Sequence, residues 1–128
     1  MIVADCTVIA RLIIRAGDSE RVDSLFERDP EWMAPSLRQP EFASVLRKYE
    51  RVGRLSPDGM AAMIRKALEL FAQSTHHVSI SRALDTARRT GCSTYDSYYI
   101  ALAEDLNLKL YTYDTEVLKK CPRLAQMP

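Results

Sequence analysis

The chain has 128 residues, of which 47% are hydrophobic and 27% are charged, a composition typical of one compact domain and not of a disordered segment. Its 18 basic and 17 acidic residues give a formal net charge of +1, which excludes a polycation that coats nucleic acid by bulk charge. Because no repeat, low-complexity run or Gly/Ser linker interrupts the sequence, we predict a single domain over residues 1–128.

The first part of the chain predicts two strands and four helices. Buried strands are indicated by "MIVAD" at the start and by "EWMAP" further on. Ser19 is a good N-cap, and Pro40 stands where a first helical position is expected, so these two residues support two of the helix starts. The helices are expected at about residues 7–15, 19–28, 40–53 and 56–73.

The second part continues the alternation of strands and helices. "HHVSI" is a candidate third strand, and "SRALDTARR" predicts a helix closed by Gly91. "STYDSYYIALAEDLNLKLYTYD" predicts a helix that leads into a fourth strand, "KLYTYD", and the tail predicts a short helix and a marginal fifth strand near Leu124. Strands that alternate with helices favour the α/β class, with a central parallel sheet of four to five strands flanked by helices.

The ends and the cysteines of the sequence indicate a compartment. Charged residues interrupt the apolar start, so it matches neither a signal peptide nor a membrane span, and we expect a cytoplasmic protein without membrane contact. The three cysteines are odd in number and have no metal-binding spacing, so we expect free thiols in a reducing compartment. They are Cys6, Cys92 and Cys121.

Four acidic residues stand where strands end or helices begin. Asp5 ends the first predicted strand and Asp114 ends the fourth, while Glu41 and Asp96 lie in the first turns of two helices. In open α/β sheets, functional sites lie beyond the carboxyl ends of the strands, where helices also start. We therefore expect the four carboxylates at one rim of the sheet.

A helical wheel sharpens the case for two of these acids. Asp96 falls at the edge of the apolar side of its helix, and Glu41 projects beside Val45 and Val52 instead of with the charged outer face. The alternative is that acids in a first turn only complement the helix dipole, and that Asp5 and Asp114 are turn or cap residues. The wheel places on the polar side Ser97, Ala101, Glu104 and Asp105.

Carboxylates gathered at one place repel one another, and burial increases the cost of their charge. Such a cluster requires a cation, and oxygen ligands without His or Cys favour Mg²⁺ or Mn²⁺. Ions of this kind activate water and neutralise the charge that develops when a phosphodiester is cleaved. The pattern therefore predicts metal-dependent hydrolysis of nucleic acid.

Four motifs, "MIVADCTV", "PEFASVLRKY", "STYDSYYIALA" and "LYTYD", occur in an order that resembles the PIN-domain ribonucleases, and especially the VapC toxins of toxin–antitoxin pairs. The resemblance implies a PIN-like fold, a Mg²⁺-dependent endoribonuclease, a small cognate antitoxin and a homodimer. It also implies that the catalytic and metal-binding acids are Asp5, Glu41, Asp96 and Asp114, with supporting hydroxyls on Thr7 and Thr112. The family commonly has asparagine three residues after the second acid, where this chain has Ser44.

Other polar and aromatic residues have two readings each. The basic residues of the third helix could hold RNA phosphates, although charges on a solvated helix face are the commoner explanation. Three tyrosines at helical spacing could stack on bases, but an apolar face more often belongs to the core. The basic residues are Arg47, Lys48 and Arg51, and the tyrosines are Tyr95, Tyr98 and Tyr99. Trp32 is expected in the core, and His76 and His77 are expected to be structural.

Proteins of other classes could share this pattern. A receiver-type signalling domain requires a phospho-accepting aspartate at the end of a central strand, and "HHVSI" has none. A haloacid-dehalogenase-like phosphatase requires a second aspartate where Thr7 stands. A non-catalytic PIN-like binding module is the third alternative, against which the presence of all four acids counts. Nothing in the sequence encodes which RNA would be recognised.

Overall fold

The computed structural model describes residues 1–15 and 17–128, and these ranges contain five strands and seven helices. The strands are β1 (Ile2–Ala4), β2 (Trp32–Pro35), β3 (Thr75–His76), β4 (Leu110–Tyr111) and β5 (Ala125–Gln126). The helices are α1 (Cys6–Ile14), α2 (Ser19–Arg28), α3 (Arg38–Arg51), α4 (Pro57–Phe71), α5 (Ile80–Thr90), α6 (Thr94–Leu106) and α7 (Thr115–Lys120).

The five strands form one parallel sheet with the order β3-β2-β1-β4-β5. The chain builds outward from β1 to β3 on one side and then returns to add β4 and β5 on the other. The strand order therefore reverses between β1 and β4, which is the point of an open sheet where ligands bind. The predicted α/β class and parallel sheet are confirmed.

Two predicted strands differ in position from those observed. "HHVSI" was expected as the third strand, but β3 is the edge pair Thr75–His76, because Ser79 already caps α5 by accepting from the N–H of Arg82. "KLYTYD" ends as a strand at Tyr111, since the following residues turn into the N-terminus of α7. The marginal fifth strand, expected near Leu124, lies one residue later.

Two helix starts also differ. Ser19 lies inside α2, and the N-cap is Asp18, whose side chain makes no capping hydrogen bond in the part of the chain that the structure describes. Helix α3 begins at Arg38, two residues before Pro40. Pro40 is tolerated there because the first four N–H groups of a helix have no intrahelical partner in any case.

Helix α6 is buried on almost every side, and this overturns the predicted polar face. Ser97 and Ala101 are both 0% exposed, because α5 packs over them. The carboxylates of Glu104 and Asp105 instead pair with Arg82 of α5, so the expected solvent face is an ion-paired interface between two helices. The Ser97 hydroxyl is satisfied within its own helix, where it donates to the carbonyl of Ser93.

Some predictions for single residues outside the four acids are confirmed, and others are wrong. Trp32 is 1% exposed, as expected for a core residue, and its ring N–H donates to the carbonyl of Asp29. Tyr99 is buried, but Tyr95 is 62% exposed and does not belong to the core.

The three cysteines are free. In residues 1–15 and 17–128, each helix is too short or too polar to cross a membrane.

A fully buried arginine, which the sequence did not reveal, fixes the start of α3. Arg38 is 0% exposed, and its guanidinium donates to the carbonyl of Phe71 and to the hydroxyls of Ser74 and Thr75. It also lies over the Phe71 ring, with Cζ 4.2 Å from the ring centroid. Burial lowers the pKa of Arg38 to about 10. This contact joins α3, which carries Glu41, to the end of α4 and to β3.

Candidate active site

Asp5 lies between the ends of β1 and β4, at the reversal of the strand order. It is the N-cap of α1, and its Oδ1 accepts from the N–H groups of Thr7 at 2.9 Å and Val8 at 3.1 Å. The Thr7 hydroxyl donates to the same oxygen over 2.6 Å. The Thr112 hydroxyl donates to Oδ2, and the N–H of Asp5 donates to the carbonyl of Tyr111. Both carboxylate oxygens are therefore held in place.

The two predicted hydroxyls connect the ends of the strands. Thr112 Oγ1 donates to Asp5 and accepts from the N–H of Asp114 over 2.9 Å. Thr7 Oγ1 donates to Asp5 and accepts from the N–H of Tyr113 over 3.3 Å. Residues 5–7 and 112–114 are thus locked together, although they are about a hundred residues apart in the sequence.

Asp114 caps α7 in the way that Asp5 caps α1. Its Oδ1 accepts from the N–H groups of Glu116 at 2.8 Å and Val117 at 3.2 Å. The alternative that Asp114 is a cap residue is therefore correct for its Oδ1. The second oxygen, Oδ2, accepts no hydrogen bond from the described residues, so it keeps its lone pairs for another partner.

Glu41 is oriented by Tyr99, which the sequence analysis considered for base stacking or, more often, for the core. The hydroxyl of Tyr99, on α6, donates to Glu41 Oε2 over 2.6 Å. Tyr99 is 3% exposed, and burial together with the charge of Glu41 raises the pKa of its hydroxyl far above the usual value. The signal for this role was a tyrosine on the apolar face of α6, because a buried Tyr hydroxyl requires a partner.

The Asp96 side chain is held by Ser93, the residue that caps its own helix. Ser93, the N-cap of α6, accepts from the N–H of Asp96 at 3.1 Å and donates its hydroxyl to Asp96 Oδ2 at 2.8 Å. The other carboxylate oxygen, Oδ1, accepts nothing from the residues that the structure describes.

Electrostatic coupling connects the four acids. Burial raises the pKa of Asp5, although four hydrogen bonds from Thr7, Val8 and Thr112 act against this. Burial also raises the pKa of Glu41, and the charges of Asp5 and Asp96 raise it further, against the hydrogen bond from Tyr99. The pKa of Asp96 is raised by burial and by Asp114. These influences run from Asp5 through Glu41 and Asp96 to Asp114, so each acid lies within electrostatic reach of at least one other.

The donor set fits a divalent cation held partly by water. Among residues 1–15 and 17–128, no group of three or more Asp, Glu, His or Cys side chains is placed to hold a metal ion. Three of the acids nevertheless keep an oxygen without a donor from these residues, namely Glu41 Oε1, Asp96 Oδ1 and Asp114 Oδ2. Mg²⁺ commonly binds one or two carboxylates and retains several waters. An open group of carboxylates, in which burial raises the pKa of Glu41 and Asp96, suits such an ion.

The polar residues around Glu41 do not reach the acids. Ser44, which stands where asparagine was expected, donates to the carbonyl of Pro40 in its own helix over 3.1 Å. Arg47 pairs with Glu50, and Lys48 and Arg51 are exposed on the outer face of α3.

Comparisons with known proteins agree with this architecture. A profile of the family described as the PIN domain matches residues 2–124. The chain is 31% identical over 127 residues to the ribonuclease VapC3 of Pyrobaculum aerophilum, with 97% of each protein covered. The crystal structure of PAE2754 from Pyrobaculum aerophilum superposes with a TM-score of 0.73 at 22% identity, covering 97% of this chain and 81% of that one. A toxin–antitoxin complex from Klebsiella pneumoniae gives a TM-score of 0.71 at 14% identity, covering 100% and 98%.

Proposed function

Since the chain belongs to the PIN domain family, we propose that it is a metal-dependent endoribonuclease and the toxin of a VapBC-type toxin–antitoxin pair. The observation that carries this proposal is the position of four carboxylates around the reversal of the strand order, where burial raises the pKa of Asp5, Glu41 and Asp96. A fold that only required helix caps would not need Glu41, which caps nothing and is buried against Tyr99.

The residues that would hold Mg²⁺, or Mn²⁺ in its place, are Asp5, Glu41, Asp96 and Asp114. When bound, the ion supplies an activated water and neutralises the charge on the phosphodiester. The chain itself contributes orientation: Thr7 and Thr112 fix Asp5, Tyr99 fixes Glu41, and Ser93 fixes Asp96. Each of these contacts leaves the carboxylate with one preferred direction, so little reorganisation is needed when RNA binds.

The test is RNA cleavage by purified protein with Mg²⁺, with Mn²⁺ and with EDTA. Wild type is expected to cut single-stranded RNA internally when either ion is present and to be inactive in EDTA. Asp96→Asn removes one ligand charge with little change in volume, and its N-cap partner Ser93 stays in place. Activity of a correctly folded Asp96→Asn protein at the wild-type level would contradict the assignment of this acid.

A non-catalytic PIN-like binding module is the competing proposal. It is supported by the cap roles of Asp5 and Asp114, which a protein without enzymatic activity would also need. The same assay separates the two, because a binding module would retain RNA or protein binding and produce no new RNA ends. A receiver-type domain is disfavoured, since β3 ends at His76 and no aspartate follows it directly.

The proposed partner is a small antitoxin that covers the protein beside the acids. An apolar groove of about 380 Å³ lies between α3 and α4, with Phe42, the neighbour of Glu41, in its lining. Ile64 and Leu68 of α4 also line it and are 42% and 55% exposed. A helix with an apolar face fits such a groove, and a basic residue of the partner would be attracted to the carboxylates.

A homodimer in the cytoplasm completes the proposal. Support for the dimer comes from family membership, and the measurement is light scattering at micromolar concentration, with and without the antitoxin. A monomer under both conditions would contradict the dimer and leave the nuclease assignment untouched.

A further inference from the structure

A second concave site lies beside the acids, between α1 and α3. It is a cavity of about 250 Å³ whose walls include Thr7 and Arg11 from α1 and Val45 and Tyr49 from α3. Thr7 is the residue whose hydroxyl holds Asp5, and Val45 lies one helical turn after Glu41. The cavity therefore extends from the acid cluster along the two helices that carry Asp5 and Glu41.

The guanidinium of Arg11 is positioned at this cavity. Its Nη1 donates to the carbonyl of Thr7 over 3.1 Å, and Cζ lies 3.7 Å from the centroid of the Tyr113 ring. Its Nε is buried and has no hydrogen-bond partner among residues 1–15 and 17–128. Within the same residues no carboxylate pairs with Arg11, whereas Arg15, Arg47 and others each pair with an acid.

A fixed arginine that lines a cavity and pairs with no carboxylate of the described residues is suited to bind an anion. Its fork of N–H donors matches the geometry of a phosphate, and stacking on Tyr113 keeps the fork in one orientation. A positive charge here also reduces the repulsion that a polyanion meets when it approaches four acids.

The facing wall supplies an aromatic surface. Tyr49 is half-buried and projects from α3 on the side of Val45, so part of its ring faces the cavity. One cation and one aromatic ring, set in walls of Ala10 and Val45, are the groups that bind a nucleotide through its phosphate and base.

We propose that this cavity is a nucleotide subsite for RNA, in which Arg11 binds the phosphate next to the scissile one and Tyr49 contacts a base. The inference rests on the proposed ribonuclease function and assigns a position on the substrate to residues outside the acid cluster. The RNA strand then runs along the seam between α1 and α3 before it reaches the carboxylates.

The experiment compares Arg11→Gln and Arg11→Lys with the control Arg88→Gln. Arg88 is an exposed arginine of α5 that pairs with Asp85, so its loss removes the same charge elsewhere on the surface. KM and kcat for a short single-stranded RNA are measured with Mg²⁺ at several salt concentrations. Binding of the same labelled RNA is measured by fluorescence anisotropy in EDTA, where no cleavage competes.

Loss of one phosphate contact has a specific signature. In Arg11→Gln, KM and the Kd in EDTA should both rise about tenfold, while kcat changes less than about threefold. The dependence of log KM on log salt should become shallower by about 0.7, and Arg11→Lys should restore that slope. Arg88→Gln should keep the wild-type KM and slope.

The base contact is tested separately at Tyr49. Tyr49→Leu should raise KM about tenfold without changing the salt slope, and Tyr49→Phe should restore the wild-type KM, because stacking needs only the ring. Equal KM and slope in Arg11→Gln and Arg88→Gln, or failure of Arg11→Lys to restore the slope, would show that Arg11 only holds the Thr7 carbonyl. If wild type cleaves no RNA, the proposed function fails, and the anisotropy data still decide whether the cavity binds RNA.

Discussion

The hydrogen bond from Tyr99 to Glu41 gives the sharpest prediction. The two residues are 58 positions apart, the donor and acceptor oxygens are 2.6 Å apart, and the tyrosine is 3% exposed. Tyr99→Phe removes the donor and keeps the ring, so packing in α6 should stay nearly unchanged. Tyr98→Phe is the matched control, since Tyr98 is a half-buried neighbour in the same helix.

The expected magnitude follows from the charge of the acceptor. A hydrogen bond to a charged group contributes about 1.5–3 kcal/mol to the free energy of unfolding. An unfolding entropy of about 2.1 cal/mol/K per residue, taken over 128 residues, converts each kcal/mol into about 4 °C in Tm. With Glu41 ionised, Tyr99→Phe should therefore lower Tm by about 6–11 °C.

The penalty should also depend on pH. Burial holds the pKa of Glu41 above its usual range, and the Tyr99 hydroxyl partly counteracts this. A carboxyl with a higher pKa in the folded than in the unfolded state makes the protein less stable as pH rises between the two values. Without the Tyr99 hydroxyl, the pKa of Glu41 in the folded state rises further. The pH interval over which the protein loses stability therefore extends to higher pH. We expect a penalty of about 1 kcal/mol near pH 4, where only a neutral hydrogen bond is lost, and the full penalty near pH 8.

Urea unfolding in EDTA, at both pH values, measures these penalties for wild type, Tyr99→Phe, Glu41→Gln and the double variant. In the Glu41→Gln background, the Tyr99→Phe substitution should cost about 1 kcal/mol at either pH, since the acceptor carries no charge. A penalty that is the same at both pH values and in both backgrounds would refute the reasoning. Tyr98→Phe should show no pH dependence of this kind.

Three further outcomes are expected. Mg²⁺ at a hundred times its Kd should stabilise wild type by about 2.7 kcal/mol in thermal melts and Asp96→Asn or Asp114→Asn by clearly less, whereas equal shifts in all three would exclude a shared metal site. Thr112→Val should lower the unfolding free energy by about 1–3 kcal/mol in urea titrations, and Thr112→Ser should recover most of it if the hydroxyl to Asp5 is responsible. Arg38→Met should cost a similar amount, because buried hydroxyls and a carbonyl lose their donor; a neutral result would mean that water replaces the guanidinium.

Local sequence signals predicted most helices correctly and placed the acids at strand ends and helix starts. Asp5 follows an apolar run and Asp114 precedes a helix, so their positions at strand and helix ends are determined by neighbours in the chain. The PIN-like α/β fold is confirmed, while the metal-binding roles of the acids and the single domain over residues 1–128 stay predictions.

The features that the sequence did not reveal depend on distant partners. β3 is two residues at the sheet edge, defined by pairing with β2 and not by any apolar pattern of its own. Ser97 and Ala101 are covered by α5, which a wheel drawn for α6 alone cannot show. Arg38 and Tyr99 have polar groups that are satisfied only across the fold, by partners 33 to 58 residues away. The helical spacing of the sequence does not show that the polar groups of Arg38 and Tyr99 bind distant partners.

The strand order has a consequence for the time at which the acid cluster forms during synthesis of the chain. Asp5 is among the first residues to be synthesised, but Thr112, whose hydroxyl donates to it, follows 107 residues later. Strand β1 also lacks its neighbour β4 until then. At a translation rate of about 5–20 residues per second, a ribosome spends roughly 5–20 s between these two points. During that interval the nascent chain carries no assembled acid cluster. Products of stalled or aborted synthesis that stop before residue 110 should therefore lack the acid cluster and be inactive in the RNA cleavage assay.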